Sequence, residues 1–124
     1  MGFYDMRKNK ELNERIEALN RRLLNTKYEI YRLAEVAGML EQDPESEDLK
    51  AECSARRSRI ETLMRALRKL PENELEMLYL HYEKGLTFRQ LEFSGYMHYS
   101  FKSLQLKNRI ILERMILQNG SRLL

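Results

Sequence analysis

Apolar residues recur in alternating steps of four and three from Leu12 to Leu40: Leu12, Ile16, Leu19, Leu23, Thr26, Ile30, Leu33, Ala37 and Leu40. Only Thr26 is polar. A seven-residue repeat of this kind is the seam of a long helix packed at a shallow angle. The pattern predicts a helix from about Lys10 to Leu40, with a seam roughly 40 Å long. A second repeat of the same spacing follows at Leu49, Cys53, Arg56, Ile60, Leu63, Leu67 and Leu70. It predicts a helix from about Pro44 to Lys69. In the short connection Asp43 is the expected N-cap and Pro44 the first helical residue. So short a link makes the two helices antiparallel neighbours, with Leu40 near Leu49 and Leu23 near Leu67. Leu24, Tyr28 and Tyr31 fall off the seam of the first helix. A helix apolar on two faces needs a second partner, either the C-terminal part of the chain or a second copy.

After Pro71 the pattern changes to short, punctuated helices. Leu75, Leu78, Tyr79 and Tyr82 form one stripe, which Gly85 ends. Thr87 to Gln90 has the spacing of a capping box, with Leu86 and Leu91 placed as a hydrophobic staple. Ser94 to Tyr99, with Gly95 inside, reads as a turn. Ser100 is the next N-cap, Tyr99 and Leu104 form a second staple, and the last helix runs from about Phe101 to about Gln118. Gly120 ends regular structure, so Ser121 to Leu124 is expected to fray. The expected fold is all-α: an antiparallel, coiled-coil-like helical hairpin over 1–70 and a three-helix helix-turn-helix lobe over 71–124.

Composition supports a folded helical chain, with five Gly and two Pro among 124 residues. Charge is segregated. Arg56–Lys69 carries six basic residues and one acidic one, Glu41–Glu52 six acidic and one basic, and Ser100–Leu124 five basic and one acidic. Such segregation suits a chain whose one end meets a polyanion, although solvated helix faces give the same pattern. Cys53, the single cysteine, falls on the seam and reads as a small buried apolar residue. His81 and His98 lie far apart without Cys or His neighbours, so no metal site or other cofactor is expected. No apolar run approaches a signal peptide or a membrane span, and a cytoplasmic protein without membrane contact is expected. Glu72, Glu74 and Glu76 suit the positive end of a helix better than acid–base chemistry. No phosphate loop or nucleophilic triad is present. Catalysis is not expected.

Several residues carry a family resemblance. Leu70-Pro71, Leu78, His81-Tyr82, Gly85-Leu86-Thr87 and Leu91 resemble region 4 of sigma-70-type factors. Met97-His98-Tyr99-Ser100, Leu104 and Ile111-Leu112 resemble the second half of that unit. The second half is most similar to sigma-like regulators of phages and mobile elements, the ArpU-type late-transcription regulators. The resemblance spans Leu70 to Met115. It implies a helix-turn-helix that binds promoter DNA through its last helix, with RNA polymerase as a candidate contact. Two features depart from the family. Glu92 stands where Ala is usual, and the interval from Leu91 to Ser100 is about two residues longer. Either the turn is enlarged, or the helix runs on and Ser94 fills the small-residue slot.

Helix geometry then sorts the last helix. With Leu104 facing the core, Asn108, Ile111 and Met115 share its face. Lys102, Leu106 and Arg109 point away, with Ser103 and Gln105 at the flanks. In a recognition helix Arg109, Lys102 and Gln105 become base-edge readers and Leu106 a contact for a thymine methyl. Thr87, Arg89, Ser100 and Ser103 become phosphate contacts. The Leu24, Tyr28 and Tyr31 stripe suggests a homodimer, the symmetry common among DNA readers. The leading expectation is a sequence-specific double-stranded-DNA-binding transcription regulator of phage or mobile-element origin. Two others compete. A helical protein–protein adaptor would show no salt-dependent DNA binding, and a small terminase-like packaging subunit would form a large ring.

Overall fold

The computed structural model describes the backbone of residues 3–95 and 98–124, and side chains over 9–95, 98–120 and 122–124. Tyr96 and Met97, which belong to the turn and to the resemblance above, lie outside the described residues. The described backbone is entirely helical and irregular, without strands. Helix α1 covers Phe3–Gln42, a 40-residue helix about 60 Å long. Helix α2, Glu47–Arg68, runs back along it as the hairpin predicts. Helix α3, Glu72–Leu78, passes into a π-helical turn over Tyr79–Glu83. Helix α4 spans Phe88–Phe93 and α5 spans Phe101–Asn119. A 3-10 turn, Gly120–Leu123, closes the described fold.

The N-cap of α2 is Ser46, whose side chain accepts from the Leu49 amide at 3.3 Å. This corrects the expectation of a cap at Asp43 and a first turn at Pro44. Asp43 instead accepts from the Ser46 amide in a turn that leaves Pro44 outside the helix. Both residues are good caps, and the later one wins because the link needs its turn before α2 begins.

The α1 seam also drifts. Ile16, Leu19 and Leu23 are buried as the repeat requires, but Ile30 is 45 % exposed and Val36, off the repeat, is fully buried. A straight α-helix advances 3.6 residues per turn, so a 3.5-residue seam rotates off its partner unless the helix supercoils. Facing α2 near this point is Glu29, which pairs with Arg59 at 2.9 Å. Further along, Glu52 bridges the helices, accepting from Arg32 at 3.3 Å and from Arg56 at 3.1 Å. The Arg56 hydrogen bond holds the Glu52 carboxyl below its usual pKa; desolvation opposes it, and the nearby Arg32 adds to the lowering. Cys53 is buried and free, as its place on the seam predicts.

One apolar cluster joins the hairpin base to the C-terminal elements. It contains Leu19 and Leu23 of α1, Leu63 and Ala66 of α2, Met77 and Leu78 of α3, Leu91 of α4, and Leu104, Leu112 and Met115 of α5. Leu123 completes it with no exposed surface. The expected frayed tail is therefore ordered through Leu123. Gly120 does end α5, at a positive φ of 62° that favours glycine. That conformation turns the chain back toward the hairpin, where Arg22 donates to the Leu123 carbonyl and, at 2.6 Å, to the Arg59 carbonyl. Burial lowers the Arg22 pKa, opposed by Glu29 and aided by Arg59.

A polar link crosses the same junction. The Tyr82 hydroxyl lies 2.6 Å from Asn20 Oδ1 on α1 and 3.1 Å from Asn108 Oδ1 on α5. A phenol has one proton to donate and lone pairs to accept with, and a carboxamide can present either end. Asn20 takes the proton and Asn108 completes the pair. Burial raises the Tyr82 pKa, opposed by Asn108.

Two outcomes follow from this packing. Leu123→Ala should cost about 2–5 kcal/mol, the range for truncating a buried Leu, and lower the melting temperature; a frayed residue would leave melting unchanged. Tyr82→Phe keeps the ring but strands two amides, so chemical denaturation should show a loss of about 1–2 kcal/mol.

Candidate nucleic-acid interface

Helices α4 and α5 each begin on a well-made cap. At α4, Thr87 Oγ1 accepts from the Gln90 amide at 3.1 Å while Gln90 Oε1 accepts from the Thr87 amide at 2.8 Å, the predicted capping box. At α5, Ser100 Oγ accepts from the Ser103 amide at 3.2 Å and donates to Ser103 Oγ at 3.1 Å. Ser103 is exposed, and its hydroxyl proton is not used by Ser100.

Between the caps, the described residues on either side of 96–97 are not helical beyond Phe93. Helix α4 stops at Phe93, with Ser94 as its C-cap. Gly95 and His98 both take positive φ, at 67° and 27°. The enlarged-turn alternative is therefore the one adopted, and Glu92 is exposed instead of sitting where two helices touch. Upstream, His81 fixes the approach to α4. Its ring stacks on Phe88 at 4.0 Å, and its Nδ1 lies 2.8 Å from the Leu86 carbonyl. A carbonyl only accepts, so Nδ1 carries the proton.

Leu104, Ile111 and Met115 of α5 are buried and Asn108 half-buried, as the helix geometry predicts. The opposite face is open. Lys102, Ser103, Gln105, Leu106 and Arg109 are all exposed. Lys102 has no ion-pair partner among the described residues. Arg89 of α4 lies 4.6 Å over the Phe101 ring. Its guanidinium is thus steadied at the start of α5, on the same side as the Ser100 cap. Thr87, Arg89, Ser100, Lys102, Ser103, Gln105 and Leu106 belong to the two capped helices and their N-terminal ends.

Arg109 differs from them. It donates to Asn13 Oδ1 on α1, so it sits where the exposed face of α5 meets the hairpin. Asn13 is a member of this surface that sequence reasoning missed, and no local signal marks a contact between residues 96 apart in the chain. Lys107 was also missed. It lies 4.3 Å over the Tyr99 ring and adds a cation beside the cap. Its basic character inside α5 was the available signal.

The same outward side of α5 carries apolar groups. Leu106, Ile110 and Leu117 are exposed, and Phe93 at the end of α4 is 86 % exposed. On the hairpin, Leu24, Tyr28 and Tyr31 are likewise exposed, the two tyrosines at 67 % each. Neither α2 nor the C-terminal helices cover that stripe. Among the described residues no cluster of His, Cys, Asp and Glu could hold a metal ion, and no helix is long and apolar enough to cross a membrane. No protein-family model, curated protein or solved structure matches the chain.

Proposed function

We propose that the chain is a cytoplasmic, sequence-specific DNA-binding transcription regulator of phage or mobile-element type, reading double-stranded DNA with the N-terminal half of α5. The observation that carries this reading is the open Lys102–Gln105–Leu106 face, held outward by buried Leu104 and begun by the Ser100 cap. A helix of this kind fits the major groove with its first turns against the base edges. Lys102 would neutralise a phosphate or meet a guanine, Gln105 suits adenine, and Leu106 suits a thymine methyl. Ser103, whose proton Ser100 leaves unused, would donate to a phosphate, as would Arg89 beside it. Arg109 would exchange its bond to Asn13 for a base edge.

A homodimer fits the exposed Leu24, Tyr28 and Tyr31 face, because two reading helices then address two half-sites. By resemblance, RNA polymerase is a further contact. The second reading is a protein–protein adaptor, favoured by the exposed Phe93, Ile110 and Leu117 around the same helix.

DNA sites selected from a random pool provide the test. If Lys102 neutralises a phosphate, Lys102→Ala should weaken all sequences alike and lower the salt slope by about one unit; if it meets a guanine, the variant should relax preference at one base pair. Arg109→Ala should cost about 1–3 kcal/mol and relax preference at one base pair. Neither side chain fills the core, so melting should not change. If the double variant binds selected DNA as tightly as the parent at physiological salt, α5 is not the reader and the adaptor reading replaces this one. For the dimer, sedimentation should show two copies for the parent and one for Tyr28→Glu/Tyr31→Glu; a parent that stays monomeric at high micromolar concentration rejects it.

A further inference from the structure

A cleft of ≈ 590 Å³ opens between the hairpin and the α3–π-turn segment. Its volume lies in the range of sites for drug-sized molecules, about 300–1,000 Å³. The floor is apolar, made by Leu23 of α1, Leu67 of α2 and Leu78 of α3. Tyr79 and Tyr82 of the π-helical turn form one wall, and Ile30 and Met64 stand at the mouth. The π-turn matters here, since a locally widened helix is a recurrent feature of functional sites.

The charge around the cleft has one sign. Glu72 and Glu83, both exposed, lie on its lining, and no basic side chain does. The chain is basic overall, at net +3, so a lining whose charged side chains are all acidic is a local departure. One aromatic wall already holds a cation: Lys84 Nζ lies 5.5 Å from the centre of the Tyr79 ring. An aromatic face beside carboxylates attracts a soft, weakly hydrated cation more than a strongly hydrated one, because less hydration is lost on entry.

We infer that this cleft is a binding site for a hydrophobic organic cation. The ligand's apolar body rests on Leu23, Leu67 and Leu78, its charge faces Glu72 and Glu83, and its edge meets the tyrosine rings. Tyr82 ties the site to the last helix, since its ring walls the cleft and its hydroxyl is bonded to Asn108 of α5. Occupancy is therefore felt at Asn108.

Tetraphenylphosphonium and tetraphenylborate, near-identical in shape and opposite in charge, provide the test. Calorimetry on the full chain should show micromolar binding of the phosphonium and much weaker binding of the borate. Glu72→Gln/Glu83→Gln should weaken the phosphonium by about five- to tenfold, as two partly exposed charge contacts allow, while melting stays unchanged. The Asn108 side-chain amide resonance should shift with the phosphonium alone. Equal affinity for both ions, or indifference to the double variant, overturns the inference. So does displacement of the phosphonium by a lysine-flanked amphipathic peptide that binds more tightly, which assigns the cleft to a protein helix. Self-association abolished by Met64→Glu overturns it in favour of a second copy. None of these measurements uses nucleic acid, so failure here leaves the DNA-reading proposal standing.

Discussion

Two helices packed side by side bury only one stripe each, and that is too little to hold a fold. Everything else depends on how the base of the hairpin gains a third layer. Helix α1 supplies the meeting point, since it packs on both α2 and α5 and its Leu19 is fully buried in the shared cluster. Leu104, Leu112 and Met115 belong to the same cluster, and Leu123 returns from beyond α5 to join it. A fully buried Leu is worth about 1.5–3 kcal/mol, so these few side chains decide whether α5 has a fixed position at all.

That position divides α5 into two functional lengths. The C-terminal part is committed to the hairpin, and Arg114 adds an ion pair to Glu74 of α3. The N-terminal part is held by buried Leu104, by the Asn108–Tyr82 bond and by its contacts with α4, which leaves its other side open. Arg109 marks the boundary through its bond to Asn13. The residues proposed to read DNA thus gain their direction from packing that never touches DNA.

Much of this was legible in the sequence because it is local or periodic. The two seams, the Thr87 capping box, the Ser100 cap and the Leu104 face depend on neighbours within a few turns. The misses are those that local pattern cannot decide. Asp43 and Ser46 are both competent caps, and the geometry of the link chooses between them. Val36 replaces Ala37 on the seam because helix drift accumulates over several turns. Leu123 looked like a tail because its partners, α1 and α2, lie some sixty and more residues away. The candidate surface follows the same rule: Lys102, Gln105 and Leu106 were readable from Leu104, whereas the Arg109–Asn13 bond was not. The π-turn at Tyr79–Glu83 has no breaker in its sequence, and the long-range bond of Tyr82 to Asn20 and the local bond of His81 to the Leu86 carbonyl accompany it.

The Tyr82 link explains how an apolar junction acquires one geometry. Leucines and methionines can slide by a fraction of a turn at little cost, because dispersion contacts are non-directional and Met adapts its shape. A hydroxyl shared between two carboxamides cannot slide. Moving α5 along α1 would break the bond to Asn20 or to Asn108 and leave a desolvated polar group behind. The net stabilisation of such a bond is small, about 1 kcal/mol, but the penalty for the wrong register is larger than the reward for the right one. Asn20, Tyr82 and Asn108 therefore act less as a source of stability than as a stop. They set where the last helix rests on the hairpin, and so where its open face points.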